Sequence, residues 1–338
     1  MITDYEVYVR REPDEDEWEQ WRRQLLAVMA GERAILLEEL LGLDEASLTG
    51  AEIFDGYTVR DLLAHIAAWD DFHRERMELV LADKADEIVA VELHDHNAAL
   101  HEAHQTWSLA KSLAAMLAAR ERFLETMAQV PDAILHRPVS MPWADTLPLR
   151  TWAIWRARHD AVHRADVRQW REGRKQEAQA GPKSLLLATL KASREEMEAL
   201  AVLVAEGERD SRPVYGEWTA RDVVGHVADW EQFALGCLEA GEMLNMGYDG
   251  KVQRWNEAHA AARREQSWAE AWHDYVQVRA ALRGLIADKS EPALQQMVPN
   301  PWGRNTTVYR FAHWFLEHER EHAAGLREAL LALPSSTP

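Results

Sequence analysis

The chain has 338 residues, more than one core usually needs, so two domains are expected. A net charge of −19 argues against generic binding to nucleic acid or to an anionic membrane surface, both of which would repel it. A hydrophobic content of 47% supports a real core, and no apolar run approaches the ~20 residues of a membrane span.

The first residues, MITDYEVYVRREPDEDE, carry no apolar signal-peptide centre and turn acidic at once. The single cysteine, Cys237, excludes an intramolecular disulfide framework and suits a reducing compartment. Together these give the expectation of a soluble, cytoplasmic protein. The unusual counts are 15 Trp and 15 His.

Apolar residues recur at helical spacing almost everywhere, and only Tyr5 to Val9 alternates like a strand or extended arm. A first helix is expected over residues 15–43, with Trp18, Trp21, Leu25 and Met29 as its stripe, followed by a turn region through Gly50 and Gly56. Thr58 and Asp61 form a capping-box pattern that starts a second helix, LLAHIAAWDDFHRERMELVLA. A third long helix is expected over 94–129, ending before Pro131. After the loop ILHRPVSMPWADTLP, a fourth starts near Pro148 and ends near Gly173. GRKQEAQAGPKS then reads as a linker.

Beyond the linker the pattern restarts, with helices expected over 184–206, from Thr219, over 252–287, and through His318 and His322. Thr58, Arg60, Asp61, His65 and Trp69 recur 161 residues later as Thr219, Arg221, Asp222, His226 and Trp230. Asn97, Pro142, Trp143, Trp155, His159 and His163 recur 159 residues later as Asn256, Pro301, Trp302, Trp314, His318 and His322. Ordered matches at a nearly constant offset describe a tandem duplication of a four-helix unit. The chain is therefore read as all-α, with bundles at 1–176 and 182–334.

Three histidines recur in each unit: His65, His159, His163 and His226, His318, His322. An i,i+4 pair lies on one helix face about 6 Å apart along the axis, a spacing that lets two nitrogens reach one metal ion. A lone inward histidine is more often a hydrogen-bonded core residue. The duplicated combination points instead to three-imidazole metal sites. Such a donor set suits zinc, nickel, iron or copper, and three protein ligands leave a coordination position open, as in catalytic zinc sites.

Trp69, Trp143, Trp155, Trp230, Trp302 and Trp314 are candidates to wall a substrate cleft, though helix-packing tryptophans would show the same spacing. Asp70, Asp160, Glu317 and Glu319 are candidates to orient the ligating imidazoles. Asn97 and Asn256 are read as helix caps in preference to substrate hydrogen-bonding groups, and Asp61, Asp222, Arg60 and Arg221 as cap and surface charges. His94, His96, His101, His104, His259 and His273 are read as surface residues. Cys237 lies too far along its helix from His226 to join the site.

With T-x-R-D-x-x-x-H-x-x-x-W and W-x-x-x-H-x-x-x-H in place, the chain resembles the DinB-like/YfiT four-helix-bundle metalloprotein superfamily, once in each half. The resemblance implies a divalent ion held by one histidine of the second helix and two of the fourth, hence by His65, His159 and His163 and by His226, His318 and His322. It implies a zinc, nickel or iron enzyme that acts on an electrophilic small molecule, by transfer of a low-molecular-weight thiol or by hydrolysis, in detoxification or stress response. A non-catalytic protein that sequesters metal or toxin is the alternative. Because such bundles often pair, the resemblance also implies a monomer whose halves pack as an internal pseudo-twofold dimer, or a further homodimer.

Overall fold

In the computed structural model, residues 13–142, 146–172, 174, 180–240, 250–300, 302 and 304–331 are described. The expected arm at Tyr5 to Val9 and half of the expected linker lie outside them, as does Trp143. The chain divides into two compact units, Met1–Gln176 and Glu177–Pro338. None of the described helices is long and apolar enough to cross a membrane.

The first unit is built on helices α1 (Trp18–Glu38), α2 (Val59–Leu81), α3 (Leu93–His104), α4 (Leu109–Gln129) and α5 (Arg150–Arg171). The second repeats them as α6 (Lys183–Ala201), α7 (Ala220–Ala240), α8 (Lys251–Arg263), α9 (Trp268–Asp288) and α10 (Val308–Leu331). In the first unit α2 packs along α4 and α1 along α5; in the second α7 packs along α9 and α6 along α10. Leu62, Leu63, Ile66 and Met77 of α2 are fully enclosed in the first core, as are Val223, Val227 and Ala234 of α7 in the second.

The expected start of α2 is present: the Thr58 hydroxyl accepts from the Asp61 amide at 3.3 Å, and the Asp61 carboxylate accepts from the Thr58 amide at 3.0 Å. Thr219 and Asp222 repeat the box at 3.2 and 3.0 Å.

Three expected boundaries are corrected. The helix expected over 94–129 is two helices, because Ser108 caps a new start by accepting from the Lys111 amide at 3.2 Å. Ser267 breaks the second copy in the same place, with Glu270 completing a capping box. The first helix stops at Glu38, and a one-turn helix, Glu45–Gly50, starts where Asp44 accepts from the Ser47 amide at 2.7 Å. Pro148 does not open the fourth helix but ends a strand.

That strand belongs to one of four antiparallel hairpins too short to leave an alternation signal. They are β1 (Glu52–Phe54) with β2 (Tyr57–Thr58), β3 (Pro138–Ser140) with β4 (Thr146–Pro148), β5 (Pro213–Tyr215) with β6 (Trp218–Thr219), and β7 (Met297–Pro299) with β8 (Asn305–Thr307). The β1–β2 turn takes left-handed backbone at Asp55 and Gly56, with φ of 44° and 80°, which matches the right-handed twist of its strands.

An ion network ties the four long helices of each unit. Arg33 of α1 meets Asp160 of α5 and Asp70 of α2, both at 2.9 Å. Arg120 of α4 meets Asp70 at 3.0 Å and Asp160 at 3.1 Å. The remaining donors of the two arginines go to the Met116 and Met29 carbonyls. The second unit repeats this with Arg194 of α6, Glu231 of α7, Arg279 of α9 and Glu319 of α10. There the backbone acceptors are Tyr275 and Leu190, and the Tyr275 and Ser193 hydroxyls also donate to Glu319, each at 2.8 Å.

Burial alone would raise the pKa of Asp70, but Arg120 and Arg33 hold it below the usual carboxylate range. Arg33 is held above its ordinary value against burial by Asp160 and Asp70. Replacing Asp70 by Asn would leave Arg33 and Arg120 sharing the Asp160 carboxylate. D70N is expected to cost about 3–5 kcal/mol, read as a shift of the urea unfolding curve to lower concentration. An unshifted curve would show that the network does not hold the bundle.

Candidate metal centres

The sequence supplies His65 from the second turn of α2, and His159 and His163 from one face of α5. Asp70 and Asp160, anchored in the ion network, set the register of those two helices. As a result the His65 and His159 Nε2 atoms stand 3.1 Å apart, and those of His159 and His163 stand 3.2 Å apart. The second unit gives 3.1 Å for His226 and His318 and 3.2 Å for His318 and His322. In each group the three ligand atoms lie within 4.8 Å of one another.

This spacing fits a shared cation. Two imidazole nitrogens ~2.0–2.1 Å from one ion, at tetrahedral or octahedral angles, are themselves roughly 2.9–3.4 Å apart. Hydrogen bonding among the rings accounts for it less well, since three converging Nε2 atoms cannot each find a donor. The tautomer of one is set independently: His163 donates Nδ1–H to Asp166 at 3.0 Å, which leaves its Nε2 as a bare lone pair.

All six imidazoles are pushed toward the neutral, ligand-competent form. Burial, then His163 and Arg156, lowers His65 to about 3. Burial and Arg156 take His159 well below its ordinary value, and burial lowers His163 although Asp166 opposes it. In the second unit burial lowers His226 and His318 to about 3 and His322 to about 4.

Of the tryptophans singled out from the sequence, Trp69 lies 6.3 Å from His65 and 6.4 Å from His159, ring centre to ring centre, and Trp230 lies 6.0 Å from His318. Their indole N–H groups donate to Asn97 and Asn256, each at 3.0 Å. The asparagines therefore fix the indoles and do not cap helices. Trp155 stacks edge-on against His73, and Trp314 against Trp302 and Phe311; among the described residues neither makes a ring contact with its triad.

The hairpins supply aromatic neighbours that the sequence reading did not include. Phe54 lies 5.8 Å from His163 and Tyr57 5.9 Å from His65. Tyr215 lies 5.8 Å from His322, and Trp218 stands 4.7 Å from His226 and 5.9 Å from His322. A signal did exist, because Phe54/Tyr215 and Tyr57/Trp218 are aromatic pairs at the 161-residue offset.

Two other expectations are corrected. Asp70, Asp160 and Glu319 belong to the ion networks, and Glu317 pairs with Arg310 at 2.9 Å, so none of them orients a triad imidazole. Asp166 does so in the first unit. His96, His101, His104 and His259 are half-buried: His96 packs against Trp69 and Phe72, His101 stacks 4.3 Å from Tyr57, and His259 stacks 3.7 Å from Trp255. His94 and His273 are exposed, as expected, and Cys237 is buried.

The triads differ in one support. Gly325 stands at the position matching Asp166, and a Cβ there would meet the Tyr215 ring at 2.2 Å. A side chain there would have to displace that ring, and His322 Nδ1 is buried without a partner.

Fold and site together define a tandem pair of helical units, each bringing three imidazole nitrogens to one point. A family model of the DinB superfamily matches residues 11–167 and again 189–325, and the chain belongs to that superfamily. No curated protein and no solved structure matches the chain.

Two outcomes follow from the electrostatics. Between pH 6.5, the ordinary histidine value, and about 3, the unfolded chain carries protons on His65 and His226 that the folded chain refuses. Stability of the metal-free protein should therefore fall as pH drops through that window. The H65Q/H226Q variant should show a shallower fall of melting temperature; equal slopes would mean that both histidines ionise freely in the folded state. At the first triad, D166A should weaken metal binding about 10–100-fold, measured by chelator competition in an H318A/H322A background. Unchanged affinity would remove Asp166 from the site.

Proposed function

We propose that the protein is a divalent-metal-dependent enzyme acting on an electrophilic small molecule, with thiol transfer as the form of chemistry the site suits best. The observation that carries this is the convergence of three neutral Nε2 atoms in each unit, spaced as ligands of one ion. The ion is read as zinc, nickel or iron, held by His65, His159 and His163 and by His226, His318 and His322. When bound, such an ion supplies Lewis acidity at its open position, lowering the pKa of a thiol or water there.

The chain's own groups do the rest. Asp166 holds the His163 ring with its lone pair inward. Asn97 and Asn256 hold the indoles of Trp69 and Trp230 beside the triads. Tyr57 and Phe54, and Trp218 and Tyr215, add aromatic surface that favours an apolar electrophile and excludes water from the histidines. A soft thiolate is matched to an imidazole-bound, borderline-soft ion, so a low-molecular-weight thiol is the preferred cosubstrate over water. Trp155, Trp302, Trp314 and Trp143 remain proposed as further substrate contacts. The bundles themselves are proposed to span 1–176 and 182–334, in a cytoplasmic protein with a role in detoxification.

Elemental analysis of the purified protein should find two divalent ions per chain, falling to one in H159A/H163A. Turnover of an electrophile panel with thiols should disappear with chelator and return with metal. Metal-loaded protein that binds electrophiles stoichiometrically without turnover would make it a sequestering protein instead. Protein that takes up no metal under any condition would sink both readings.

A further inference from the structure

One buried cation in the first unit has no counterpart in the second. Arg156 lies on α5 in the same row as His159 and His163, and only 5% of it is exposed. Its Nε and Nη1 are enclosed without an acceptor, and it makes no ion pair among the described residues. The nearest carboxylates, Asp70 and Asp160, are already bonded to Arg33 and Arg120. Three buried guanidinium groups thus face two carboxylates. The other close groups, His73 and His159, are imidazoles and bring no negative charge to balance it.

The second unit balances two arginines, Arg194 and Arg279, against Glu231 and Glu319. At the 159-residue offset Phe315 takes the place of Arg156, and at the 161-residue offset Ala234 takes that of His73. The bundle is therefore built without this arginine. An enclosed cation with no acceptor is unfavourable for folding, because its lost hydration is not returned. Its position supplies a reason to keep it: the guanidinium carbon lies 5.6 Å from the centre of the Trp69 ring, which itself borders the first triad.

We propose that the first unit binds a small carboxylate-bearing molecule beside its triad, with Arg156 as the anchor for the anion, and that the second unit does not. The planar guanidinium fork matches a carboxylate through two parallel hydrogen bonds, and Trp69 offers an apolar face to the remainder of the molecule. The inference rests on the proposed enzyme for what the ligand is for, naming the charge of its substrate or thiol, but binding at Arg156 needs no metal. The two triads are consequently unequal: one is selective for anions and the other is not.

Benzoate and its neutral analogue benzamide test this by calorimetry and tryptophan fluorescence, on metal-free and zinc-loaded full-length protein. Benzoate should bind once per chain, and benzamide at least about tenfold more weakly, as should benzoate to R156F. Without ligand, R156F should melt at or above the wild-type temperature, since it removes an excess buried charge. If R156F does not fold, R156K, which keeps the charge and loses the fork, should still weaken benzoate. Benzoate binding that is absent, equal to benzamide, twofold per chain, or unchanged in R156F and R156K would overturn the proposal. Arg156-dependent binding in protein that takes up no zinc would uphold it while removing the metal reading; zinc uptake without benzoate binding would do the reverse.

Discussion

The structure of each unit depends on a buried ion network that takes one residue from each of its four long helices. Buried charges stripped of water are costly unless each is paired and its remaining donors are satisfied. Arg33, Asp70, Arg120 and Asp160 meet that condition through each other and through the Met116 and Met29 carbonyls. A helix that slid by one residue or turned on its axis would break several of these bonds at once. The network therefore fixes register more strictly than apolar packing would, since apolar side chains repack with little loss.

The histidines inherit that register. Asp160 is the neighbour of His159 in sequence, and Asp70 follows His65 by five residues, so locking the carboxylates aims the imidazoles. The second unit reaches the same result with longer acidic arms, Glu231 and Glu319, braced by the Tyr275 and Ser193 hydroxyls. The hairpins before α2 and α7 then lay aromatic rings against the triads, which deepens the burial that keeps the imidazoles neutral. Around this shared plan the copies diverge. Asp166 is opposed to Gly325 with Tyr215 over it, His101 to Ala260, and Arg156 to Phe315. Each change removes a polar group from the second site.

Much of this organisation was legible in the chain. Duplication at offsets of 161 and 159 residues identified the two units, the helix starts at Thr58 and Thr219, and all six histidines now found in convergent groups. Short-range rules served less well where two signals competed. The apolar period ran unbroken across Ser108 and Ser267, although each serine caps a new helix. Strands of two or three residues were invisible to an alternation test. Proximity in sequence to the histidines does not distinguish Asp166, bonded to an imidazole, from Asp70 and Asp160, bonded to arginines. Arg33 and Arg194 recur at the 161-residue offset and Arg120 and Arg279 at the 159-residue offset, but their partners change from Asp to Glu and hide the correspondence.

By itself, then, the sequence determined the class of fold, its repetition and the identity of the converging histidines, because helical periodicity and internal repetition are local or self-referential properties. Only the tertiary structure decided which aromatic rings border the triads, which carboxylates bond arginine and which bonds imidazole, and that Arg156 is enclosed without an acceptor. Some of these contacts join residues far apart in the chain, such as Arg33 with Asp70 and with Asp160, and others, such as His163 with Asp166, join near neighbours. Spacing along the chain does not by itself separate the groups that bond from those that do not. Those outcomes arise from the competition among buried polar groups for a limited number of partners, which is resolved only when the helices are packed.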